Sequence, residues 1–217
     1  PKSAAKYNAR LGAEYLRKGR MRLANEKLEK ALKQNPKSAE AHHYFALLQE
    51  ALKQNNKAKK HFIKAVKYSP NNPELNNNYG SFLCKQKQFS AAESRFLKAI
   101  KDPLYSTPAF ALTNAGICAQ DARKFTKAEN FLNKALKKQP NFIPALYATA
   151  NLAYDQRDYS RAQAFLFRYS ETAGESAKSL ALCKKIHVQL GDIKTADECS
   201  AKLLKKYPSS KEAVSLN

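Results

Sequence analysis

The four cysteines of this 217-residue chain are the residues whose spacing most directly suggests covalent chemistry: Cys84, Cys118, Cys183 and Cys199. In the helical register described below, Cys84 and Cys118 occupy nearly the same place in adjacent repeats. Cys183 and Cys199 lie on the two facing helices of the last repeat. The register therefore favours two disulfides, which points to an oxidising compartment such as the periplasm. The alternative is four buried free thiols in a cytosolic protein.

The sequence gives little support to a metal site or an active site. Cys183 and His187 are four residues apart on one predicted helix, with Cys199 near them, but no CxxC pair or fourth ligand accompanies them. The other histidines lack ligand spacing, and the glycines form no phosphate-binding pattern. No Ser/His/Asp set or carboxylate pair stands on a loop. We therefore predict that the chain is not an enzyme and uses no metal and no cofactor.

Basic residues recur at one position of the repeat. The row consists of Lys30, Lys64, Lys98, Lys134, Arg168 and Lys202, and a second row three residues on consists of Lys33, Lys67, Lys101, Lys137 and Lys205. Since packed helices lie about 8 to 10 Å apart, the rows predict a basic ridge that attracts lipid phosphates or another anionic polymer. The alternative is that these cations complement helix dipoles and pair with glutamates one turn away, as in Glu26 to Lys30.

The whole chain is strongly basic, with 39 Lys+Arg against 18 Asp+Glu and a formal net charge of +21. Such a field favours anionic partners or surfaces. No stretch approaches the roughly 18 to 20 apolar residues that cross a bilayer, so the sequence predicts no membrane-spanning helix. The chain begins at Pro1 without a signal-peptide pattern, and we expect any export signal to have been removed.

Alanines reveal the elements that position these residues. The series is Ala24, Ala58, Ala92, Ala128, Ala162 and Ala196, with spacings of 34, 34, 36, 34 and 34 residues. Bulky residues such as Leu28 and Phe62 follow these alanines, and prolines such as Pro36 and Pro70 close the units. The pattern resembles the tetratricopeptide (TPR) repeat, in which small residues let two helices pack closely and neighbouring pairs stack to bury a core.

The register predicts an all-α fold, a right-handed superhelical solenoid of six TPR helix-turn-helix repeats in a single domain of residues 1–217. The predicted repeats are 5–38, 39–72, 73–108, 109–142, 143–176 and 177–210. Two extra residues lengthen the turn that closes the third repeat at 101–108. Gly174 replaces the closing proline of the fifth repeat.

The first helices of stacked repeats line an inner groove, which is the expected place for a partner. By register the groove residues are Ala9, Ala13, Leu16, His43, Leu47, Asn77, Ser81, Phe110, Ile117, Tyr147, Asn151 and Tyr154. A TPR clamp for a C-terminal carboxylate needs convergent lysines and asparagines, and most of these positions do not supply them. An apolar segment of a partner protein fits better. The alternative is that several of these side chains only pack against neighbouring helices.

Two stretches go beyond the general TPR pattern: residues 75–84, LNNNYGSFLC, and residues 103–118, which run from PLYSTP to NAGIC. They resemble the type IV pilus biogenesis and stability lipoproteins of Gram-negative bacteria, the PilF/PilW family of pilotins. The resemblance extends over essentially the whole chain, including the six repeats and the longer turn.

The resemblance implies a lipoprotein on the periplasmic face of the outer membrane that assists assembly of the pilus secretin. The implied partners are a secretin subunit, other pilus assembly proteins, and the inner leaflet of the outer membrane through a lipid anchor. We expect that anchor to have been removed with the N-terminal tether. Nucleic acid is not an implied partner, because no base-reading or stacking side chain recurs at one repeat position.

Two alternatives remain at this stage. A cytosolic TPR adaptor that binds a chaperone or nucleic acid is compatible with the charge, but it would contain four free thiols. A scaffold associated with peptidoglycan through the basic ridge is compatible with the pilotin hypothesis and would show salt-sensitive binding.

Overall fold

The computed structural model describes residues 2–216, which form α-helices and contain no β-strand. The thirteen helices within this range are α1 Lys2–Arg17, α2 Met21–Gln34, α3 Ala39–Ala51, α4 Asn55–Tyr68, α5 Pro73–Lys85, α6 Phe89–Ile100, α7 Pro108–Asp121, α8 Phe125–Lys138, α9 Ile143–Asp155, α10 Tyr159–Ala173, α11 Ala177–Gln189, α12 Ile193–Lys206 and α13 Lys211–Val214. The first twelve form six consecutive pairs that follow the predicted repeats. The all-α TPR prediction is therefore confirmed.

The chain divides into two compact units, Pro1–Tyr105 and Ser106–Asn217. The first unit contains α1 to α6 and the second contains α7 to α13. The division falls inside the longer turn that the sequence places after the third repeat. The expectation of a single domain stays a prediction.

Close packing inside each helix pair depends on small residues, as the register predicts. The six alanines of the repeat series are each at most 1% exposed: Ala24, Ala58, Ala92, Ala128, Ala162 and Ala196. On the first helices, a methyl group added to Gly80 would lie 2.7 Å from Phe96, and one added to Gly116 would lie 2.7 Å from Leu132. These distances are far below van der Waals contact, so the large side chain of the second helix fills the space that glycine leaves.

The turn between the two helices of a pair repeats an unusual backbone conformation. Residues at one position of the repeat have positive φ: Gly19, Lys53, Lys87, Arg123, Arg157 and Gly191. At Lys53, the turn is closed by the Gln54 amide, which donates to the Gln49 carbonyl oxygen at 2.8 Å. This bond satisfies a carbonyl at the C-terminus of α3, as in other left-handed helix caps.

The last unit ends in a short additional helix that the sequence register does not include. Ala213 of α13 is 1% exposed and packs with Leu180 of α11 and Leu203 of α12. Ser210 accepts a hydrogen bond from the Ala213 amide at 3.1 Å and caps α13. The helix thus covers apolar surface that a terminal TPR repeat would otherwise expose.

Candidate partner-binding grooves and basic ridge

A cavity of about 420 Å³ lies on the first helices α1 and α3 of the first unit. Its lining consists of Arg10, Ala13, Glu14, Leu16, Arg17, Tyr44 and Leu47. We call this surface the first-unit groove. Ala13, Leu16 and Leu47 are among the predicted groove residues, and the structure brings them together with Tyr44. The lining is predominantly apolar, which suits an apolar segment of a partner.

Charged residues at the rim of the first-unit groove neutralise one another. The Arg17 guanidinium donates to both carboxylate oxygens of Glu14 at 2.8 Å, and Lys18 lies 3.2 Å from the same carboxylate. The hydrogen bond from Arg17 is the main reason that the pKa of Glu14 is lower than usual. Arg10 pairs with Glu40 at 3.3 Å. Because these cations already have partners, the groove is poorly suited to capture a free carboxylate.

Three of the predicted groove residues are wrong as surface residues. Ala9 is 0% exposed, and it packs against Ala31 and Ala41 where α1 meets α2 and α3. His43 and Asn77 are 5% and 7% exposed, so their side chains belong to the interior of the unit. A shift of one residue around a helix rotates a side chain by about 100°, enough to move it from the groove into the core. Ser81 is half-buried and donates to the Asn77 carbonyl oxygen at 3.1 Å.

The second unit contains a smaller groove of about 310 Å³. Its lining consists of Tyr147, Asn151, Lys178, Ala181, Leu182, Lys185 and Glu212. We call this surface the second-unit groove. Asn151 donates to the Tyr147 carbonyl oxygen at 3.0 Å, and the Tyr147 hydroxyl donates to the Lys178 carbonyl oxygen at 3.4 Å. Burial raises the pKa of Tyr147, so this hydroxyl stays protonated at neutral pH.

The sequence predicted Tyr147 and Asn151 as groove residues, but it did not predict the three charged residues of the second-unit groove, Lys178, Lys185 and Glu212. Lys178 and Lys185 lie two turns apart on α11, the first helix of the sixth repeat. Extending the groove register from the fifth repeat to this helix would have included them. Glu212 lies beyond residue 210, where the register ends, so no repeat pattern points to it. These side chains make the second-unit groove more polar than the first.

The remaining predicted groove residues of the second unit are apolar side chains that meet solvent. Phe110 is 47% exposed and its ring contacts Phe142 edge-on, with centroids 4.7 Å apart. Ile117 is 40% exposed. Tyr154 is half-buried and lies beside Tyr159, with centroids 5.6 Å apart. Exposed aromatic and aliphatic side chains of this kind are common anchors in protein interfaces.

All six residues of the predicted basic ridge are exposed on second helices. Their partners differ. Lys202 pairs with Glu175 at 2.9 Å, and Arg168 donates to the Pro140 carbonyl oxygen at 2.9 Å. Lys30, Lys64, Lys98 and Lys134 form no hydrogen bond or ion pair within residues 2–216. Among the described residues, the ridge position therefore has partners in the last two repeats and none in the first four.

The predicted disulfide between Cys183 and Cys199 is present, with Cα atoms 6.1 Å apart. It joins α11 to α12 across the last helix pair. Residues 2–216 contain no free cysteine. The pairing of Cys84 with Cys118 stays a prediction.

A cluster of histidines in the first unit was not predicted. His42 Nδ1 lies 2.9 Å from His61 Nδ1, and His42 Nε2 lies 3.0 Å from the Pro36 carbonyl oxygen. Burial lowers the pKa of His43 to about 4, and burial with the nearby charges of His42 and Lys64 lowers that of His61 to about 4. The cluster is therefore neutral near pH 7. His42 and His61 are 19 residues apart in sequence, so the repeat period alone could not predict their contact.

Within the part of the chain that the structure describes, no three His, Cys, Asp or Glu side chains are arranged to hold a metal ion. In the same residues, no helix is both long and apolar enough to cross a bilayer.

Comparison with known proteins identifies relatives of the chain. Residues 119–186 and 27–60 each match a tetratricopeptide-repeat family. The chain is 30% identical over 202 residues to the type IV pilus assembly protein PilF of Pseudomonas aeruginosa, a match that covers 93% of this chain and 80% of that protein.

Two solved structures agree with this relationship. The crystal structure of PilW, a widely conserved type IV pilus biogenesis factor, has a TM-score of 0.91 and 33% identity, covering 98% of this chain and 97% of PilW. The structure of Pseudomonas aeruginosa PilF has a TM-score of 0.83 and 29% identity, covering 99% of this chain and 96% of PilF. The chain therefore belongs to the PilF/PilW family of TPR proteins of type IV pilus biogenesis.

Proposed function

We propose that the chain is a non-enzymatic scaffold of the periplasm, a pilotin that helps the type IV pilus secretin to reach the outer membrane and to assemble there. The single observation that carries the proposal is the match to PilW over 98% of this chain, because it covers both grooves. A TPR fold alone would not support a specific role, since the fold hosts many functions.

The first-unit groove is the proposed main contact with the secretin subunit. Leu16, Tyr44 and Leu47 supply apolar area, and the paired charges at the rim leave no strong preference for a charged group. A partner segment with apolar side chains on one face, helical or extended, would bury this surface. Phe110 and Ile117 offer a second apolar contact on α7 of the other unit.

The proposed location is the periplasmic face of the outer membrane, with attachment through a lipid on an N-terminal cysteine. The Cys183–Cys199 disulfide supports an oxidising compartment. A cytosolic adaptor for a chaperone or nucleic acid would have to keep this pair reduced, so the disulfide disfavours that alternative.

Co-purification of the secretin tests the proposal. Detergent-solubilised outer membranes of a Gram-negative host that expresses the lipidated protein would be passed over an affinity resin for the wild type, for Leu47→Glu and for Ile117→Glu. A buried charge in an apolar contact leaves an unpaired carboxylate, so we expect each variant to recover less secretin, with Leu47→Glu the more severe.

Leu104→Glu is the matched control, because Leu104 is 90% exposed in the turn after α6 and lies outside both grooves. All variants should unfold cooperatively at a similar temperature. Loss of the secretin with Leu47→Glu but not with Leu104→Glu would support the role and the groove together. If the wild type never recovers the secretin, the pilotin role is wrong; if Leu47→Glu recovers as much as the wild type, the partner binds elsewhere.

A further inference from the structure

We propose that the outer face of α4 is a docking surface for anionic phospholipid headgroups. This α4 lysine face consists of Lys53, Lys57, Lys59, Lys60, Lys64 and Lys67 together with Ile63. This face lies on a second helix rather than in a groove, and lipid binding there does not depend on the proposed secretin role.

The first observation is a concentration of unneutralised charge. Between Glu50 and Glu74 the chain contains six lysines and no acidic residue. All six lysines are exposed. In the described residues 2–216 none of them forms an ion pair or a hydrogen bond through its ammonium group. The other long second helices, α2, α6, α8, α10 and α12, each contain at least one Asp or Glu.

The second observation is the spacing of these lysines. Lys60 and Lys64 are four residues apart, and Lys64 and Lys67 are three apart, so like charges are neighbours on one side of the helix. Such neighbours repel each other and weaken a helix unless an anion lies nearby. No carboxylate among residues 2–216 pairs with these lysines, so a ligand with several negative charges would relieve the repulsion.

The third observation is an aliphatic side chain among the lysines. Ile63 is 49% exposed. Lys59 and Lys60 lie one turn before it and Lys67 lies one turn after it, so they surround it on the helix surface. A lysine can extend its ammonium group toward phosphate while its methylene chain lies along an apolar surface. The face therefore presents cations around an aliphatic centre.

A lipid surface matches this combination better than a nucleic acid does. Single-stranded nucleic acids bind to exposed aromatic planes as well as to cations. The aromatic side chains of α4 are occupied within the unit: His61 stacks on Phe45 at 4.5 Å, and Tyr68 stacks on His42 at 5.9 Å. A bilayer offers phosphates at the level of the lysines and the glycerol and acyl boundary at the level of Ile63.

Vesicle sedimentation with the full chain tests the proposal. The wild type would be mixed with vesicles of equal parts phosphatidylglycerol and phosphatidylcholine, and with vesicles of phosphatidylcholine alone. We expect binding only to the anionic vesicles, and we expect added salt to weaken it. Soluble glycerophosphate at the same phosphate concentration should compete poorly, which would distinguish a lipid surface from a site for free phosphate.

Two triple variants locate the surface. Lys59→Gln, Lys60→Gln and Lys67→Gln remove three charges from the α4 lysine face, whereas Lys134→Gln, Lys137→Gln and Lys138→Gln remove three from α8. Since each lysine near an anionic membrane contributes severalfold to binding, the α4 variant should partition at least tenfold less. The α8 variant should change much less. Ile63→Ser should lower binding by about threefold.

Circular dichroism would establish that every variant is folded, as expected for glutamine on exposed helix positions. The proposal is overturned if both triple variants lose binding equally, because net charge alone would then explain it. It is also overturned if the wild type does not sediment with anionic vesicles. Binding to a single-stranded oligonucleotide instead would favour a nucleic-acid partner. Equal competition by soluble glycerophosphate would likewise exclude a lipid surface.

Discussion

The first and second units are built from the same type of helix pair but differ in net charge and in how their charged side chains are paired. The first unit contains 22 Lys+Arg and 8 Asp+Glu, a net charge of +14, and the second contains 17 and 10, a net charge of +7. In the second unit, Glu175 binds both Lys202 and Lys206 of α12. In the first unit, the second helix α4 has lysines without acidic partners. The same repeat position is therefore a structural contact at Lys202 and an unpaired charge at Lys64.

A periodic row of lysines therefore does not have one role along the chain. The second unit is reinforced locally by the Cys183–Cys199 disulfide, by Glu175 and by α13. The first unit instead contains an open cationic surface and a neutral histidine cluster. The disulfide and the lysine–glutamate pairs thus lie at the C-terminal end of the second unit, while the unpaired lysines of α4 lie in the first unit.

Removal of the disulfide should have the largest effect and should affect the second unit. The bond closes a loop with a sequence separation of 16 residues, and a loop of that size stabilises a fold by about 3 kcal/mol. We expect the Cys183→Ala, Cys199→Ala double variant to lose amide protection in α11 and α12 by hydrogen exchange. Helices α1 and α2 are the internal control, and an equal loss of protection there would contradict a local role.

Mild acid should weaken the first unit before the second. The pKa of His43 is lowered by burial to about 4 from an ordinary 6.5. The unfolded chain therefore binds a proton at a higher pH than the folded chain does, and stability is lost as the pH falls from about 6.5 toward 4. For His43 alone the loss is about 2 kcal/mol by pH 5.

The second unit should respond only at lower pH, because hydrogen bonds from Lys206 and Lys202 lower the pKa of the Glu175 carboxyl. Its contribution is complete above the ordinary value of 4.5 and is lost only below it. Hydrogen exchange at pH 7 and pH 5 would measure the amide protection of both units in one experiment. His43→Gln should reduce the acid sensitivity of the first unit, and an unchanged sensitivity would exclude this histidine as its source.

Glu175→Gln should have a moderate effect on the second unit. Because Lys202 and Lys206 are about half exposed, at 53% and 52% of their side chains, each pair is screened by water. The expected loss is about 1 kcal/mol or less, measured by chemical denaturation. A double-mutant cycle with Lys202→Gln isolates the energy of the Glu175–Lys202 pair. A coupling energy near zero would show that this pair adds no stability, so that Lys202 would not differ energetically from the unpaired Lys64.

Lys60→Glu should have the smallest effect and the opposite sign. The new carboxylate would lie one turn before Lys64, the favourable orientation for an i,i+4 pair, and would replace a repulsion by an attraction. We expect the first unit to gain about 0.5 kcal/mol while vesicle binding falls. Lys60→Gln, which only removes the repulsion, is the control and should give a smaller gain.

Local spacing in the sequence predicted the features that depend on one helix pair. The alanine series placed every second helix, and its register placed Cys183 opposite Cys199. Gly116 and Leu132 followed from the same rule that a small residue faces a large one. These features are set by contacts between residues less than one repeat apart, which periodicity reports directly.

Features that depend on side-chain direction or on contacts outside the register could not be predicted. Ala9 was assigned to the groove although it is buried, because the sequence does not fix the rotation of a helix to within one residue. Glu212 joins the second-unit groove from beyond the last repeat. The His42–His61 contact and the difference between Lys64 and Lys202 depend on which side chains neighbouring helices bring close, and a repeat pattern averages over such neighbours.

Hydrogen exchange of the protein with and without a purified secretin subunit would test the central claim most directly, that the first helices hold the partner. We predict that the secretin slows exchange in α1 and α3 around Leu16, Tyr44 and Leu47, with little change in α4. Protection confined to the second helices α2, α4 and α6, with none in α1 and α3, would contradict the account.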